Sequence, residues 1–269
     1  MLITKASGQK VQFNKSRYRQ SLERVGLGLT EAKEVCNQIY QDLEPETSTT
    51  TIHNRTYQIL RKKNKFFAAK YSLKRAIMNL GPSGYFFERY LAAVLAAYGY
   101  KTSWHQFLQG HCVEHEVDVV AQKDNKKTLI ECKYHNQPGG ASDLKVVLYI
   151  YARFLDLKES QHFDQAMLAT NTHCTSEAIK YARCMGLKIL GWRYPENEGL
   201  EHFIESKKLY PITVLTDLNQ RLNQLFREKN LVLAKDLLKY SPLQLSKLFG
   251  IKTAFAESLI RQAKELSEI

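Results

Sequence analysis

No apolar run in this 269-residue chain approaches the ~18 residues that a membrane span needs. Its opening, MLITKASGQK, has no long hydrophobic region of the kind a secretory signal carries. A soluble, cytoplasmic protein with no membrane partner is therefore expected. Cysteine is sparse and scattered: Cys36, Cys112, Cys132, Cys174 and Cys184 are odd in number and include no C-x-x-C pair, which leaves nothing for a disulfide framework or a zinc ribbon. Acidic residues are the minority, 27 Asp and Glu against 39 Lys and Arg, for a formal charge of +12. That surplus favours polyanionic partners, because clustered cations displace condensed counterions from nucleic acid. With 44% hydrophobic residues the chain can bury a real core, and its length exceeds the usual single domain, so two or three domains are expected.

The first 80 residues read as a hairpin followed by four helices. LITKASGQKVQF holds two short runs around Ser7-Gly8, a turn dipeptide, and Asn14 stands as an N-cap. Helical periodicity then covers Lys15 to Val25, Thr30 to Leu43, Thr50 to Lys63 and Lys65 to Leu80, interrupted at Gly26, Gly28 and Pro45. Much of the positive excess lies here, although Arg61 to Lys63 also suit a helix C-terminus. This segment resembles the ATP-cone, the nucleotide-sensing module of ribonucleotide reductases and their repressors. The resemblance rests on Ile3-Thr4-Lys5, Gly8, Phe13, Lys15, STTTIH from Ser48 to His53, and Tyr71 with Arg75. Ala6-Ser7 stands where that family has Arg-Asp. The resemblance implies ATP or dATP as effector, with Lys5 and Lys15 on the phosphates and Thr49 and His53 near the base or sugar. A small basic helical domain docking on DNA or on a partner subunit is the alternative.

GPSG, Gly81 to Gly84, is the clearest punctuation in the chain and the expected domain boundary. In the helix that follows, Phe87, Leu91, Val94, Leu95 and Tyr98 share one face and Glu88 borders it. Two strand-like runs come next, VEHEVDVVAQK and TLIECKYH, separated by a polar turn. Period-two alternation puts Glu114, Glu116, Asp118 and Val120 on one face and His115, Val117, Val119 and Ala121 on the other. In the second run, Leu129, Glu131 and Lys133 oppose Ile130, Cys132 and Tyr134. A hairpin with one apolar face and one face carrying Asp118, Glu131 and Lys133 is expected. Neighbouring strands lie ~4.8 Å apart, so two carboxylates in register can share a divalent cation. On spacing alone, a solvent-facing ladder of cross-strand ion pairs is the favoured reading.

Asp118, Glu131-Cys132-Lys133 and the helical Glu88 resemble the core of the PD-(D/E)xK nucleases, and specifically the Mrr-type restriction endonuclease domain, over about residues 84 to 195. Val117 stands where the motif's proline would be. Downstream periodicity gives a helix at Asp143 to Leu157, a strand at Gln165 to Thr170, a helix at Ser176 to Met185 and a strand at Leu187 to Trp192, an α/β alternation that favours a mixed sheet with helices on both faces. The resemblance implies a Mg²⁺ ion, or Mn²⁺, held by Asp118, Glu131 and the backbone carbonyl of Cys132. It further implies Lys133 orienting or helping to deprotonate the attacking water and offsetting phosphate charge, and Glu88 as an outer carboxylate or a ligand of a second metal. Phosphodiester hydrolysis needs such groups, to make a hydroxide-like nucleophile and to neutralise charge on the phosphate. Glu116 reads as an exposed strand residue.

His111, Cys112 and His115 are zinc-ligand types, but a strand sends Cys112 to the face opposite the two histidines. His173-Cys174 reads as a strand-to-helix turn rather than a nucleophile pair. Gln137 to Gly140 reads as a loop over the cleft that contacts DNA backbone or cradles phosphate. Beyond Gly199 the chain is helical again. Thr216 caps a helix to about Lys229, Ser241-Pro242 starts another, Gly250 ends it and Thr253 caps the last. LSKLFGIKTAFAESLIRQA resembles a helix-hairpin-helix with Lys252 at the second glycine position, which implies contact with DNA backbone, or alternatively a dimer interface.

The expected architecture is thus α/β. A mostly helical ATP-cone with a β-hairpin (1–82) precedes a PD-(D/E)xK core (83–212), and a small helical module follows (213–269). The expected activity is that of a Mg²⁺-dependent, type IV/Mrr-like DNA endonuclease of restriction or defence. Its partners would be double-stranded DNA and a nucleotide effector, and its assembly a homodimer or higher even oligomer. The alternative is a nucleotide-responsive DNA-binding regulator with a degenerate core.

Overall fold

The computed structural model describes residues 1–5, 8–137, 139–216 and 218–268. At the N-terminus, β1 (Leu2–Thr4) pairs antiparallel with β2 (Lys10–Gln12). The expected turn residue Ser7 lies outside the described residues, while Gly8 takes φ +81°, a region that glycine enters without steric cost. Asn14 caps α1 (Lys15–Arg24), accepting from the Arg17 N–H at 2.8 Å. Then come α2 (Leu29–Gln41) and α3 (Thr49–Lys63), the latter capped by Ser48. The expected fourth helix is two, α4 (Lys65–Tyr71) and α5 (Leu73–Met78). The break falls at Ser72, whose ψ of 1° leaves the helix and whose hydroxyl turns to His53 at 3.5 Å. Serine competes with helical geometry through such side-chain bonds.

α6 (Tyr85–Ala97) buries Phe87, Tyr90, Leu91, Val94 and Leu95. It is followed by β3 (Lys101–Gln109), β4 (Glu114–Lys123), β5 (Lys126–Lys133), β6 (Ala141–Ser142), α7 (Leu144–Gln161), β7 (Gln165–Thr170), β8 (His173–Cys174), α8 (Ser176–Cys184), β9 (Lys188–Leu190) and α9 (Leu200–Ser206). The main sheet runs β3-β4-β5-β7-β9, antiparallel through β5 and parallel beyond it. A short parallel ladder joins β6 to β8, so His173 and Cys174 are strand residues directly ahead of α8. Asp124 and Asn125 close the β4–β5 hairpin with φ of 50° and 58°. Two consecutive left-handed residues make a turn that matches strand twist, and Asp and Asn tolerate it.

The hairpin expected to have one polar face is covered on both. Val119, Ala121, Ile130 and Cys132 pack in the core under α6, whereas Val117 and Leu129 pack against α7 and α8. Val117 and Val119 thus enter different cores, so alternation slips at Asp118. Opposite it, His105 has φ 51°, and the β3–β4 ladder passes from Trp104↔Val119 to Gln106↔Val117 without pairing the residues between.

The remaining chain forms α10 (Gln220–Glu228), α11 (Pro242–Phe249) and α12 (Thr253–Glu268). Ser241 and Gln244 form a capping box around Pro242, and Gly250 closes α11 with φ +63°. The cap of α10 is Asn219 rather than Thr216. Thr216 instead donates through N–H and hydroxyl to Gln262 Oε1 at 2.8 and 2.9 Å, since both groups are buried and need partners. One continuous core gathers residues from α4, α5 and α6, the sheet, and α10 to α12. No helix among the described residues is long and apolar enough to cross a membrane.

Candidate active site

The site forms where β4 and β5 part. Their ladder ends at Val119↔Ile130, so Asp118 and Glu131, next in register, stand at the mouth of the opening. The Cys132 N–H donates to Asp118 Oδ2 at 2.7 Å, which fixes one oxygen of that carboxylate. Glu131 is 4% exposed. Its Oε1 accepts from Lys133 Nζ at 2.6 Å, and its other oxygen accepts from Arg153 Nη1 of α7. Glu88 reaches the same opening from the first turn of α6, beneath Gly84, where a Cβ would lie 3.5 Å from Glu88 Oε1.

Electrostatics shows that these groups crowd together. Burial pushes the Glu88 carboxyl up to about 7, helped by Asp118, Glu116 and Glu131 and opposed by Lys133. Burial also pushes Asp118 up to about 6, joined by Glu131 and resisted by the Cys132 N–H, Lys133 and Arg153. Both shifts record carboxylates held near one another in a poorly hydrated cleft. The sequence-derived Glu88, Asp118, Glu131 and Lys133 are therefore gathered in one place. The Cys132 side chain packs in the core under α6, so that residue offers the site only main-chain atoms. Glu116 is exposed and pairs with His105 Nδ1 at 3.0 Å.

The donor set is hard oxygen, which suits Mg²⁺ or Mn²⁺, and Glu88 and Asp118, raised first by burial and then by neighbouring carboxylates, are groups whose ionised form a cation would stabilise. The donor types fit such an ion. Among the described residues, however, no three His, Cys, Asp or Glu side chains lie close enough to share one, with Glu131 turned to Lys133 and Arg153.

Arg153 and its neighbour Tyr149 escaped the sequence reading. Tyr149 accepts a hydrogen bond from Arg153 Nη2, and the guanidinium lies 4.7 Å from the centre of its ring. A signal existed: Val147, Ile150, Phe154 and Leu157 form the buried stripe of α7, and Arg153 borders it, three residues from Ile150. A buried arginine on an apolar stripe demands a carboxylate partner.

Past Lys133 the chain is pinned by buried Asn171, which accepts from the His135 N–H at 2.8 Å and donates to its carbonyl at 2.7 Å. The expected cradle at Gln137 to Gly140 falls partly outside the described residues, at Pro138. His111 and Cys112 lie in a bend before β4 rather than in a strand. That bend is tied to α7 by Asp156, which accepts from the Cys112 N–H and pairs with His115 Nε2, both at 2.8 Å.

In the N-terminal segment, a bridge between Thr4 and Ser48 sets the end of β1, with Lys5 next along the chain, against the start of α3 at Thr49. Lys5 Nζ donates to Gln9 at 2.9 Å. Lys15 Nζ lies 3.3 Å from the centre of the Tyr40 ring. His53 stacks on Tyr71 at 4.9 Å, and burial, then Arg75, lower its pKa to about 4. Lys5 and Thr49 are thus brought to one end of α3, Lys15 rests on α2, and His53 faces the α4–α5 junction.

Three family profiles match successive stretches of the chain. The profile of the family described as ATP cone domain matches residues 1–79, that of Restriction endonuclease residues 81–190, and that of AF1548-like, C-terminal, residues 210–267. An uncharacterized protein of Archaeoglobus fulgidus is 42% identical over 176 residues, 65% of this chain and 99% of that protein. The crystal structure of AF1548, described as a protein of unknown function, superposes with a TM-score of 0.60 at 39% identity, covering 68% of this chain and 98% of that one. This chain belongs to the AF1548-like family, with an Mrr-type restriction endonuclease domain carried behind an N-terminal ATP cone.

Proposed function

We propose that the protein is a divalent-metal-dependent DNA endonuclease, Mrr-like and of restriction or defence, whose cutting is governed by ATP or dATP on the cone. The observation that carries the reading is the convergence of Asp118, Glu131 and Lys133 at the parting of β4 and β5, with Glu88 facing them from α6. Asp118, Glu131 and the Cys132 carbonyl would hold Mg²⁺, or Mn²⁺, which when bound supplies a low-pKa water and a counter-charge for the phosphate. Lys133 holds the attacking water and a phosphate oxygen through its ammonium donors, and Glu88 stands as an outer carboxylate. The water oxygen bonds to phosphorus as the bond to the 3′ oxygen breaks; the attacking water gives up its proton to solvent and the departing 3′ oxygen takes one from a solvent water, which leaves a 5′-phosphate and a 3′-hydroxyl.

Cutting both strands of a duplex together requires two such sites, so a homodimer or higher even oligomer in the cytoplasm belongs to this reading. The domain division 1–82, 83–212 and 213–269 belongs to it also, with the exposed turn at Gly250 to Thr253 meeting DNA backbone or a second copy. Plasmid incubated with Mg²⁺ tests the whole: cutting that survives both Asp118→Asn and Lys133→Ala removes these residues from the mechanism. The rival, a DNA-binding regulator with an idle core, draws support from the two cations already on Glu131. Binding of DNA without any cutting would favour it.

Metal affinity on this reading depends on pH, because the carboxylates must be ionised to bind a cation. With Glu88 at about 7 and Asp118 at about 6, both protonate as pH falls from 8 to 5.5. The Mg²⁺ concentration for half-maximal cutting should rise on the order of ten-fold over that interval. A flat profile would count against the carboxylate assignment.

Regulation has a structural route. Tyr71, stacked on His53, also lines a crevice whose far wall is Trp192, Arg193, Glu201 and Glu205 of the nuclease segment. Lys70 spans it toward Glu205 at 3.9 Å. Nucleotide phosphates would sit at the α3 N-terminus, where backbone N–H groups and the helix dipole favour anions. The Lys5→Ala, Lys15→Ala double variant should lose ATP affinity about ten-fold or more in calorimetry, and unchanged affinity would discard both contacts.

A further inference from the structure

Arg153 is nine-tenths buried, with 10% of its side chain exposed, yet its bonding is incomplete. Nη1 donates to Glu131 and Nη2 to the Tyr149 hydroxyl, while Nε has no acceptor among the described residues. A buried donor left without a partner is costly, so its persistence points to an acceptor that arrives from outside. Nε–H shares one edge of the guanidinium with Nη2, a planar fork that matches two oxygens of a phosphate.

Arg153 also lines an open groove of about 830 Å³ between α7 and the bend that joins β3 to β4. Its walls include Tyr149 and Leu155 on one side and Cys112 and Val113 on the other. That geometry is built in. Asp156 clamps the bend through the Cys112 N–H and His115, and a Cβ at Gly110 would fall 2.1 Å from Asp156 Oδ2, so only glycine fits there. The arginine therefore stands between a preformed groove and the carboxylate assigned to the metal.

We propose that Arg153 holds Glu131 in the metal-free protein and, when a divalent ion takes over that carboxylate, turns its open edge to a DNA phosphate in the groove. The inference rests on the nuclease reading above. Tyr149 makes the exchange a small rotation, because it keeps one guanidinium nitrogen and the ring face while Nη1 is released. In the free protein Arg153 is a positioning residue, and in the loaded complex it contacts substrate.

Binding of Mn²⁺ to the DNA-free full-length protein, followed by electron paramagnetic resonance, separates these roles from activity. Glu131→Gln should weaken Mn²⁺ binding about ten-fold or more. Arg153→Gln should tighten it about ten-fold, since the competing cation is gone, and yet slow plasmid cutting at saturating metal by about thirty-fold. A purely structural arginine would give weakening of both. Arg153→Lys keeps the charge and loses the fork, so its Mn²⁺ affinity should stay within about two-fold while cutting falls about ten-fold; this variant decides the matter if the glutamine variant does not fold. Mn²⁺ affinity unchanged or weaker in folded Arg153→Gln, or full cutting by Arg153→Lys, overturns the proposal. Mn²⁺ binding indifferent to Glu131→Gln overturns the metal-site reading beneath it instead.

Discussion

Asp118→Asn should abolish metal-dependent cutting, by about a thousand-fold or more, and at the same time stabilise the metal-free protein above pH 7. Asparagine keeps the side-chain oxygen that accepts from the Cys132 N–H at 2.7 Å, so the local geometry survives. What it loses is the charge. Asp118 titrates at about 6 in the fold against an ordinary 3.8, so the native state binds more protons than the unfolded chain between those values. Its contribution to stability is then fully present below about pH 4 and lost as pH rises through about 6. Above that the ionised carboxylate costs the metal-free fold about 1–3 kcal/mol, which the variant recovers. Thermal melts in chelator at pH 4 and pH 8 should show nearly matching midpoints at the lower pH and a higher midpoint for Asp118→Asn at the upper. Lys133→Ala should slow cutting about a hundred-fold to ten-thousand-fold with no such gain, because it leaves the carboxylates less compensated. Cutting by Asp118→Asn at the wild-type rate would end the assignment; a lower melting point at pH 8 would show that the carboxylates do not crowd one another.

Much of this centre was legible in the sequence because strands keep their own period. Glu131 and Lys133 sit two apart on β5, and Ile130 with Cys132 on its other face, as alternation requires. Alternation fails at β4, where Glu114, Glu116 and Asp118 share one face in sequence and Val117 and Val119 the other. Alternation describes an undistorted ladder, and the left-handed His105 across from Asp118 is a property of the neighbouring strand that β4 cannot reveal. For the same reason both faces of the hairpin are covered, one by α6 and one by α7: Val117 and Val119 look alike in sequence yet serve opposite cores. Arg153 stayed hidden because an ion pair across 22 residues has no local period at all. In the cone, continuous periodicity from Lys65 to Leu80 concealed the break at Ser72, which depends on a histidine 19 residues earlier. Capping at Ser48 and Ser241, by contrast, needs only the next three residues, and Ser241-Pro242 marks its helix start in the sequence itself. At Thr216 the same residue type is claimed by Gln262 of α12, and tertiary burial outweighed local preference.

A chain ending at residue 212 should not fold, although the sequence suggested that the helices beyond it form a separate module. Phe226 is fully buried and meets Phe249 edge-on at 4.7 Å. Leu222, Leu245, Leu259 and Ala263 share its core with Tyr90 and Leu91 of α6 and with Leu73 and Ile77 of α5. Main-chain bonds stitch the same border: the Ile212 N–H donates to Val232, the Ala234 N–H to Tyr210, and Thr213 Oγ1 to Ala76 of α5 at 2.7 Å. Each large side chain lost from such a core removes about 1.5–3 kcal/mol of burial, and four or five of them match the ~5–15 kcal/mol by which a domain is stable at all. The full chain should therefore melt in a transition that the truncated chain lacks, with its near-ultraviolet dichroism lost. Phe226→Ala offers a graded version and should cost about 3–5 kcal/mol in denaturant unfolding. A folded, DNA-cutting 1–212 fragment would show that the shared core is dispensable. If the core is needed, the cone and the C-terminal segment meet directly, as Thr213 does Ala76, and α6 joins the same core: its Tyr90 hydroxyl donates to the Leu209 carbonyl at 2.6 Å, and its Glu88 lies near Asp118. A change in how α5 packs would then reach the cleft at Asp118 through the core that α5 shares with α6.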